Sequence, residues 1–137
     1  NADLRGANLT GANLRRSDLS EANLTDTNMA DADLMGVNLA NAKLFDTNLS
    51  GAKLSYANIN AADINGVILK NAHLNNSIVV NSKIKDSDMT GTNLYNADFT
   101  GTEIILDTLR GAVLCETVMP SGHTENRGCS TVIWQTR

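Results

Sequence analysis

Aromatic side chains are nearly missing from this chain, five residues in 137, or 4%. Proline occurs once, at Pro120, and cysteine twice, at Cys115 and Cys129. An ordinary domain of this length carries more rings and more chain breakers. No run of about 18 apolar residues occurs, which excludes a membrane-spanning helix. No basic block occurs either. Lys and Arg total 11 against 15 Asp and Glu, for a net charge of -4. General nucleic-acid binding through phosphates is therefore not expected. The length fits one domain.

What the chain has instead is a period of five. Every fifth residue from Leu4 to Met119 is apolar: fifteen Leu, four Ile, three Met, Val79 and Phe99, 24 positions in all. Neither a helix, with its 3.6-residue repeat, nor a flat strand, with its repeat of two, produces this spacing. Two residues earlier stands a small residue, Ala in twelve cases and Thr, Ser or Val in the others but one, Asp107. The residue between is Asn or Asp in 14 of the 24 units, and Gly, Asn or Asp often stands two after the large residue. A disordered polar chain would lack large apolar residues held in such register.

The unit can be built from its parts. A small and a large residue two apart point the same way from an extended segment, and the polar residue between them points out. A turn must follow, which explains the Gly, Asn and Asp. Five residues make one short side and one corner, so equal sides close into a polygon. A climbing polygon stacks each side on the one below, about 4.8 Å apart, as in a parallel sheet.

Units such as Ala7-Asn8-Leu9-Thr10-Gly11 and Ala22-Asn23-Leu24-Thr25-Asp26 resemble the A(D/N)LXX motif of the pentapeptide repeat proteins. The resemblance runs from about Ala2 to Met119. It implies an all-β fold, a right-handed quadrilateral parallel β-helix with four repeats per coil and a C-terminal cap. About six coils would make a rod of about 29 Å at ~4.8 Å each. Residues n and n+20 would then stack. The division implied is 1–119 for the β-helix and 120–137 for a capping tail.

The stacking rule turns the sequence into four faces. The face of Asp3, Lys43, Asp63, Lys83 and Glu103 mixes charges; that of Arg15, Arg16, Asp33, Lys53 and Glu116 is slightly positive; that of Asp18, Glu21 and Asp98 is negative. On the fourth, Asn8, Asn28 and Asn48 form a column expected to bond as an amide ladder. Phe45, Ile68, Ile78 and Val80, with Met35 and Ile105, are apolar where the motif expects water. They either pack against neighbouring coils or form part of a partner surface. A distortion is expected around Ile105 to Asp107, where Leu106 occupies a turn slot and Asp107 an inward one.

After Met119 the register stops, and Pro120-Ser121-Gly122 reads as a turn. The open end of a solenoid needs covering, and Val132, Ile133 and Trp134 suit that task as a helix or an irregular segment. A Cys115–Cys129 disulfide would close this tail, with two independent thiols as the alternative; with His123 the pair makes a poor metal site, lacking a fourth ligand. A structural disulfide implies an oxidising compartment. The steps Met119-Pro120-Ser121-Gly122 and Asn126-Arg127-Gly128-Cys129 are similar to the ends of pentapeptide repeat proteins from cyanobacteria and the plant thylakoid lumen. The lumen is the compartment this implies, with the periplasm as the alternative. The chain starts at Asn1 inside a repeat, and reads as a mature or trimmed product.

Chemistry-bearing constellations are not recognisable. His73 and His123 are far apart, His73 in an outward slot. The acidic stretch Asp26 to Asp33 lacks the Gly and Glu spacing of a calcium loop. Three of the four N-x-S/T sequons, such as Asn8-Leu9-Thr10, merely restate the repeat, and the fourth is Asn75-Asn76-Ser77. The expectation is a non-enzymatic scaffold or protein-interaction rod, monomeric, without cofactor, metal or nucleic acid and not inserted in a membrane, its partner a protein not identified. The family also contains quinolone-resistance proteins that bind DNA gyrase as acidic rod-shaped dimers, so DNA mimicry is the alternative. A ligand carrier is disfavoured by an axis full of Leu and Ala.

Overall fold

The computed structural model describes residues 1–130. Backbone pairing follows the twenty-residue rule along all four faces. One column of parallel bridges runs Asp3↔Asn23, Asn23↔Lys43 and Lys43↔Asp63; another runs Asn13↔Asp33, Asp33↔Lys53, Lys53↔His73 and His73↔Asn93. Period five with a register of twenty gives four sides per coil, a quadrilateral parallel β-helix. Most sides pair through one residue each. Among the described residues one face widens into a three-stranded parallel sheet, with β1 (Asp63–Asn65), β2 (Lys83–Lys85) and β3 (Glu103–Ile104) stacked in that order. β4 (Thr117–Val118), on the last periodic side where Val118 also bridges Asp98 in parallel, pairs antiparallel with β5 (Thr124–Glu125) beyond the repeats.

Each repeat position has a separate physical task. The large residue donates its N–H to the coil above, as in Leu24 to the Lys43 carbonyl at 2.8 Å and Leu54 to the His73 carbonyl at 2.7 Å. Its carbonyl closes the corner by accepting from the residue three on, as Leu24 does from Thr27 at 3.1 Å. The corner residue sits at positive φ, which only Gly, Asn and Asp accept readily. Gly66, Asp26 and Asn41 occupy such corners at φ 71, 58 and 60. Neighbours in a corner column also fit in size: Gly66 stands above Asp46, whose Oδ1 fills the space a β-carbon at Gly66 would need.

The outward Asn and Asp do not form the expected ladder at Asn8, Asn28 and Asn48. Each turns back on its own backbone. Asn8 accepts from the Thr10 N–H at 3.2 Å and the Thr10 hydroxyl at 2.7 Å; Asn28 accepts from the Ala30 N–H at 3.1 Å and Asn48 from Ser50 at 3.0 Å. A short acceptor reaches the amide two residues on at no cost in side-chain extension, so this local turn wins over bonding between coils.

The axis is dry and filled. Leu24, Leu34, Leu54, Leu94 and Phe99 are fully buried, and the void along the axial side chains measures about 10 Å³. That is about the space of a single water. Buried hydroxyls at the small inward slot find carbonyl acceptors, mostly on the preceding coil: Thr47 donates to the Leu24 carbonyl and Thr92 to the Leu69 carbonyl, both at 2.8 Å, while Ser77 donates within its own corner to Leu74 at 2.6 Å. Among the described residues no buried polar side-chain atom lacks a partner.

The expected distortion is a 3-10 turn over Leu106–Leu109, preceded by exposed Ile105. Across it the ladder slips by one residue: Gly91 donates to Gly111, whereas Asn71 one coil earlier donates nineteen residues ahead, to Thr90. Register is regained where Leu94 donates to Val113.

Candidate functional site

The outer surface is all this fold offers for recognition, since its interior is packed. The sequence-derived partner residues do not converge. Ile68 and Ile78 are exposed by 43% and 45%, on different faces; Val80 shares the side of Ile78 but is half-buried, and Phe45 is half-buried on a third face. Ile105 and Leu106, at the 3-10 turn, are the more exposed apolar pair, at 73% and 59%.

Charges are locally paired. Asp3 accepts from the Arg5 guanidinium at 2.8 Å, which holds its carboxyl down at about 2. Arg15 pairs with Asp33 at 3.1 Å and Arg110 with Asp107 at 2.6 Å. The carboxyls of Asp18 and Asp88 lie below their usual range, that of Asp18 because the Ser20 hydroxyl and N–H donate to it, that of Asp88 because the Thr90 N–H does. Burial works to raise Asp33, but the Met35 N–H and Arg15 together outweigh it and lower it. These are the repeat's own turn bonds and surface pairs. They are not converging acid–base groups. Asp26, Asp31 and Asp33 belong to three successive sides, so the acidic stretch forms no cluster. Among the described residues no group of three His, Cys, Asp or Glu side chains is placed to hold a metal ion. His123 meets Ser121 at 2.6 Å through Nδ1, on the β4–β5 connection and away from His73.

One surface feature went unread in the sequence. An open cleft of about 600 Å³ is lined by Ser55, Tyr56, His73, Asn75, Asn93 and Tyr95, on the face that carries Lys53. Both tyrosines of the chain meet there. Tyr56 stands on a corner at φ 62 and is 64% exposed. Tyr95 is half-buried, and its phenol is held above the ordinary range by the Glu116 carboxylate beside it, to which it donates. The signal was available: position 95 lies two coils above position 55, beside Tyr56. The search for outward apolar side chains passed over tyrosine.

At the C-terminal end, Cys115 and Cys129 form a disulfide, with Cα atoms 4.5 Å apart. Gly128 donates to the Leu114 carbonyl at 2.6 Å, and a β-carbon at Gly128 would lie 2.9 Å from the Leu114 backbone N and O. Asn126 Oδ1 accepts from the Glu116 N–H at 2.8 Å. Val132, Ile133 and Trp134, expected to cover the open end, lie outside the described residues. No helix among the described residues is long and apolar enough to cross a membrane.

Comparison with known proteins gives the same repeat. A family model described as pentapeptide repeats matches residues 1–34, 32–71 and 68–103, in 8 copies. No curated protein matches the chain. Among solved structures the chain is similar to a pentapeptide repeat protein of the Arabidopsis thaliana thylakoid lumen, 32% identical over 77% of this chain and 70% of that one, with a TM-score of 0.36. It is similar to HetL, a pentapeptide repeat protein involved in heterocyst differentiation regulation in the cyanobacterium Nostoc, 22% identical over 90% and 64%, with a TM-score of 0.33. It is similar to full-length QnrB1, a plasmid-mediated fluoroquinolone resistance protein, 15% identical over 98% and 80%, with a TM-score of 0.46. The chain spans less than two thirds of the length of HetL.

Proposed function

The chain belongs to the pentapeptide repeat family, and we propose that it serves as a non-enzymatic rigid rod that binds another protein, in the thylakoid lumen. The observation that carries this reading is the filled axis: with about 10 Å³ of void along it, the molecule has only its outer faces to offer. In this reading residues 1–119 form a right-handed rod of about six coils, and 120–137 close its C-terminal end. A disulfide between the two cysteines supports an oxidising compartment, of which the lumen is one and the periplasm another.

Charge weighs against DNA mimicry. A B-DNA segment of about 29 Å carries about 17 phosphate charges at one per ~1.7 Å. The net charge here is -4, and one column alternates as Asp63, Lys83, Glu103. The test is capture of lumenal proteins on immobilised chain, competed by soluble chain, with identification by mass spectrometry. A specific, competable partner supports the reading. No protein above background in lumen extract refutes it.

A further inference from the structure

We propose that the cleft between Tyr56 and Tyr95 is a docking groove for an extended proline-rich segment of a partner protein, bound in the polyproline II conformation. The inference rests on the reading of the chain as a protein-binding rod and names the class of partner for one face.

Three observations carry it. The first is spacing. The two rings stand on coils two apart, about 9.6 Å along the axis at ~4.8 Å per coil. One turn of polyproline II advances about 9.3 Å, three residues at ~3.1 Å. Rings repeating at that interval meet the same edge of such a peptide on successive turns, which is how aromatic-lined grooves take proline-rich segments. The second is hydrogen-bond polarity. Ser55 donates to Asn75 Oδ1 at 2.8 Å, and Asn96 donates to Asn76 Oδ1 at 2.9 Å. Both bonds use the acceptor and leave each amide NH₂ without a partner among the described residues. A proline-rich backbone offers carbonyl acceptors and few N–H donors, with none bonded internally. A groove that presents donors is complementary to it. Charge agrees: Lys53 stands below His73 and Glu116 above Asn96 in their columns, and no Lys, Arg, Asp or Glu lines the cleft, so nothing selects a charged ligand.

The third is strain without burial. Tyr56 holds a bulky side chain at φ 62, in a corner column that also contains Arg16, Gly36, Asn76, Asn96 and Glu116; it carries the one ring in that column. An L-residue of this size is disfavoured there, and at 64% exposure the ring gains little packing in return. Arg16, Glu21, Ala61 and Glu116 share the positive φ, so it is the ring in the cleft, together with the strain, that fits a site of function.

The strain also supplies a clean test. Tyr56→Asn places in the corner a residue that the corner accepts, so the fold is retained or strengthened while the ring is removed. Fluorescence anisotropy of a fluorescein-labelled decaproline peptide would be measured against the full chain, with a Gly-Ser peptide of equal length as reference. The expected result is saturable binding of decaproline alone, weakened roughly tenfold or more in Tyr56→Asn and in Tyr95→Leu and unchanged in Ile78→Ala on another face. Tyr56→Asn should keep or raise the melting temperature. Equal binding of both peptides, or full affinity in Tyr56→Asn, overturns the proposal. Absence of decaproline binding while lumenal proteins are still captured overturns the groove and leaves the binding rod standing.

Discussion

Leu54 offers a sharp test of the packed axis. Its side chain is fully buried, stacked between Leu34 and Leu74 at the twenty-residue register. Truncation of a buried Leu to Ala costs about 2–5 kcal/mol, more where the site cannot collapse. Here collapse is opposed by the ladder: Leu54 donates to His73 at 2.7 Å, and His73 to Ala52 at 2.9 Å, fixing the separation of the coils. Leu54→Ala should therefore cost about 4 kcal/mol, toward the upper end. In urea, with a slope of roughly 2 kcal/mol per molar, the unfolding midpoint should fall by about 2 M. Leu54→Asp puts a carboxylate among leucines with no donor in reach, and should abolish cooperative unfolding. Leu106→Ala, at 59% exposure, is the matched control and should change stability by no more than about 0.5 kcal/mol. The assay is urea denaturation followed by circular dichroism. A loss below about 1 kcal/mol in Leu54→Ala, or unchanged melting in Leu54→Asp, would refute the four-sided reading with Leu on the axis.

The corner columns predict that Gly66→Ala destabilises by about 1–2 kcal/mol, through positive φ and collision with Asp46, and that Gly66→Ala with Asp46→Gly recovers only the collision share; a double-mutant cycle in urea measures it. Thr47→Val removes the bond to the Leu24 carbonyl while that carbonyl keeps its Thr27 donor, so the cost should be about 1 kcal/mol and not more than 2 by denaturation. Asp3, Asp18, Asp33 and Asp88 all have folded carboxyls below their unfolded value of 3.8, so their stabilisation is present above that value and is lost as pH falls below it, for Asp3 down to about 2. The melting temperature should hold between pH 7 and pH 5 and drop below about 4; a rise on acidification would contradict this sign. Reduction of Cys115–Cys129, which closes a sequence separation of 14, should lower stability by about 3 kcal/mol at most and expose residues 120–130 to protease before the coils. Two free thiols per chain in protein purified without reductant would exclude the bond.

What the sequence made legible is what the period encodes. The axial column, the small inward slots, the turn after Met119 and the break near Asp107 each follow from one residue type at one spacing, because burial and positive φ are decided within a single unit. What it hid are choices between partners. An outward Asn can bond the coil above or the amide two residues on. Composition is the same in both cases, and only geometry decides for Asn8 and Thr10. The Thr slots hid a bond of the same kind, since Thr47 reads as a small residue until the carbonyl 23 residues earlier is seen beneath it on the preceding coil. β4 closes the last periodic unit and β5 lies beyond the register, so no spacing announced their antiparallel pairing.

The tyrosine cleft is a different case, because its signal was positional and present in the stacking rule. The corner column of Tyr56 also holds Arg16, Gly36, Asn76, Asn96 and Glu116, of which Gly36, Asn76 and Asn96 are residues the corner favours. With Arg16 and Glu116 strained in the same column, the ring of Tyr56 is the bulkiest of the corner departures that cost folding energy, and it returns little burial. Ile68 and Ile78 depart from the motif too, but they sit in extended slots where a β-branched side chain fits at no backbone cost. In a solenoid whose every slot has a preferred residue, the departures that strain the chain point more directly to recognition than the departures that merely change its polarity.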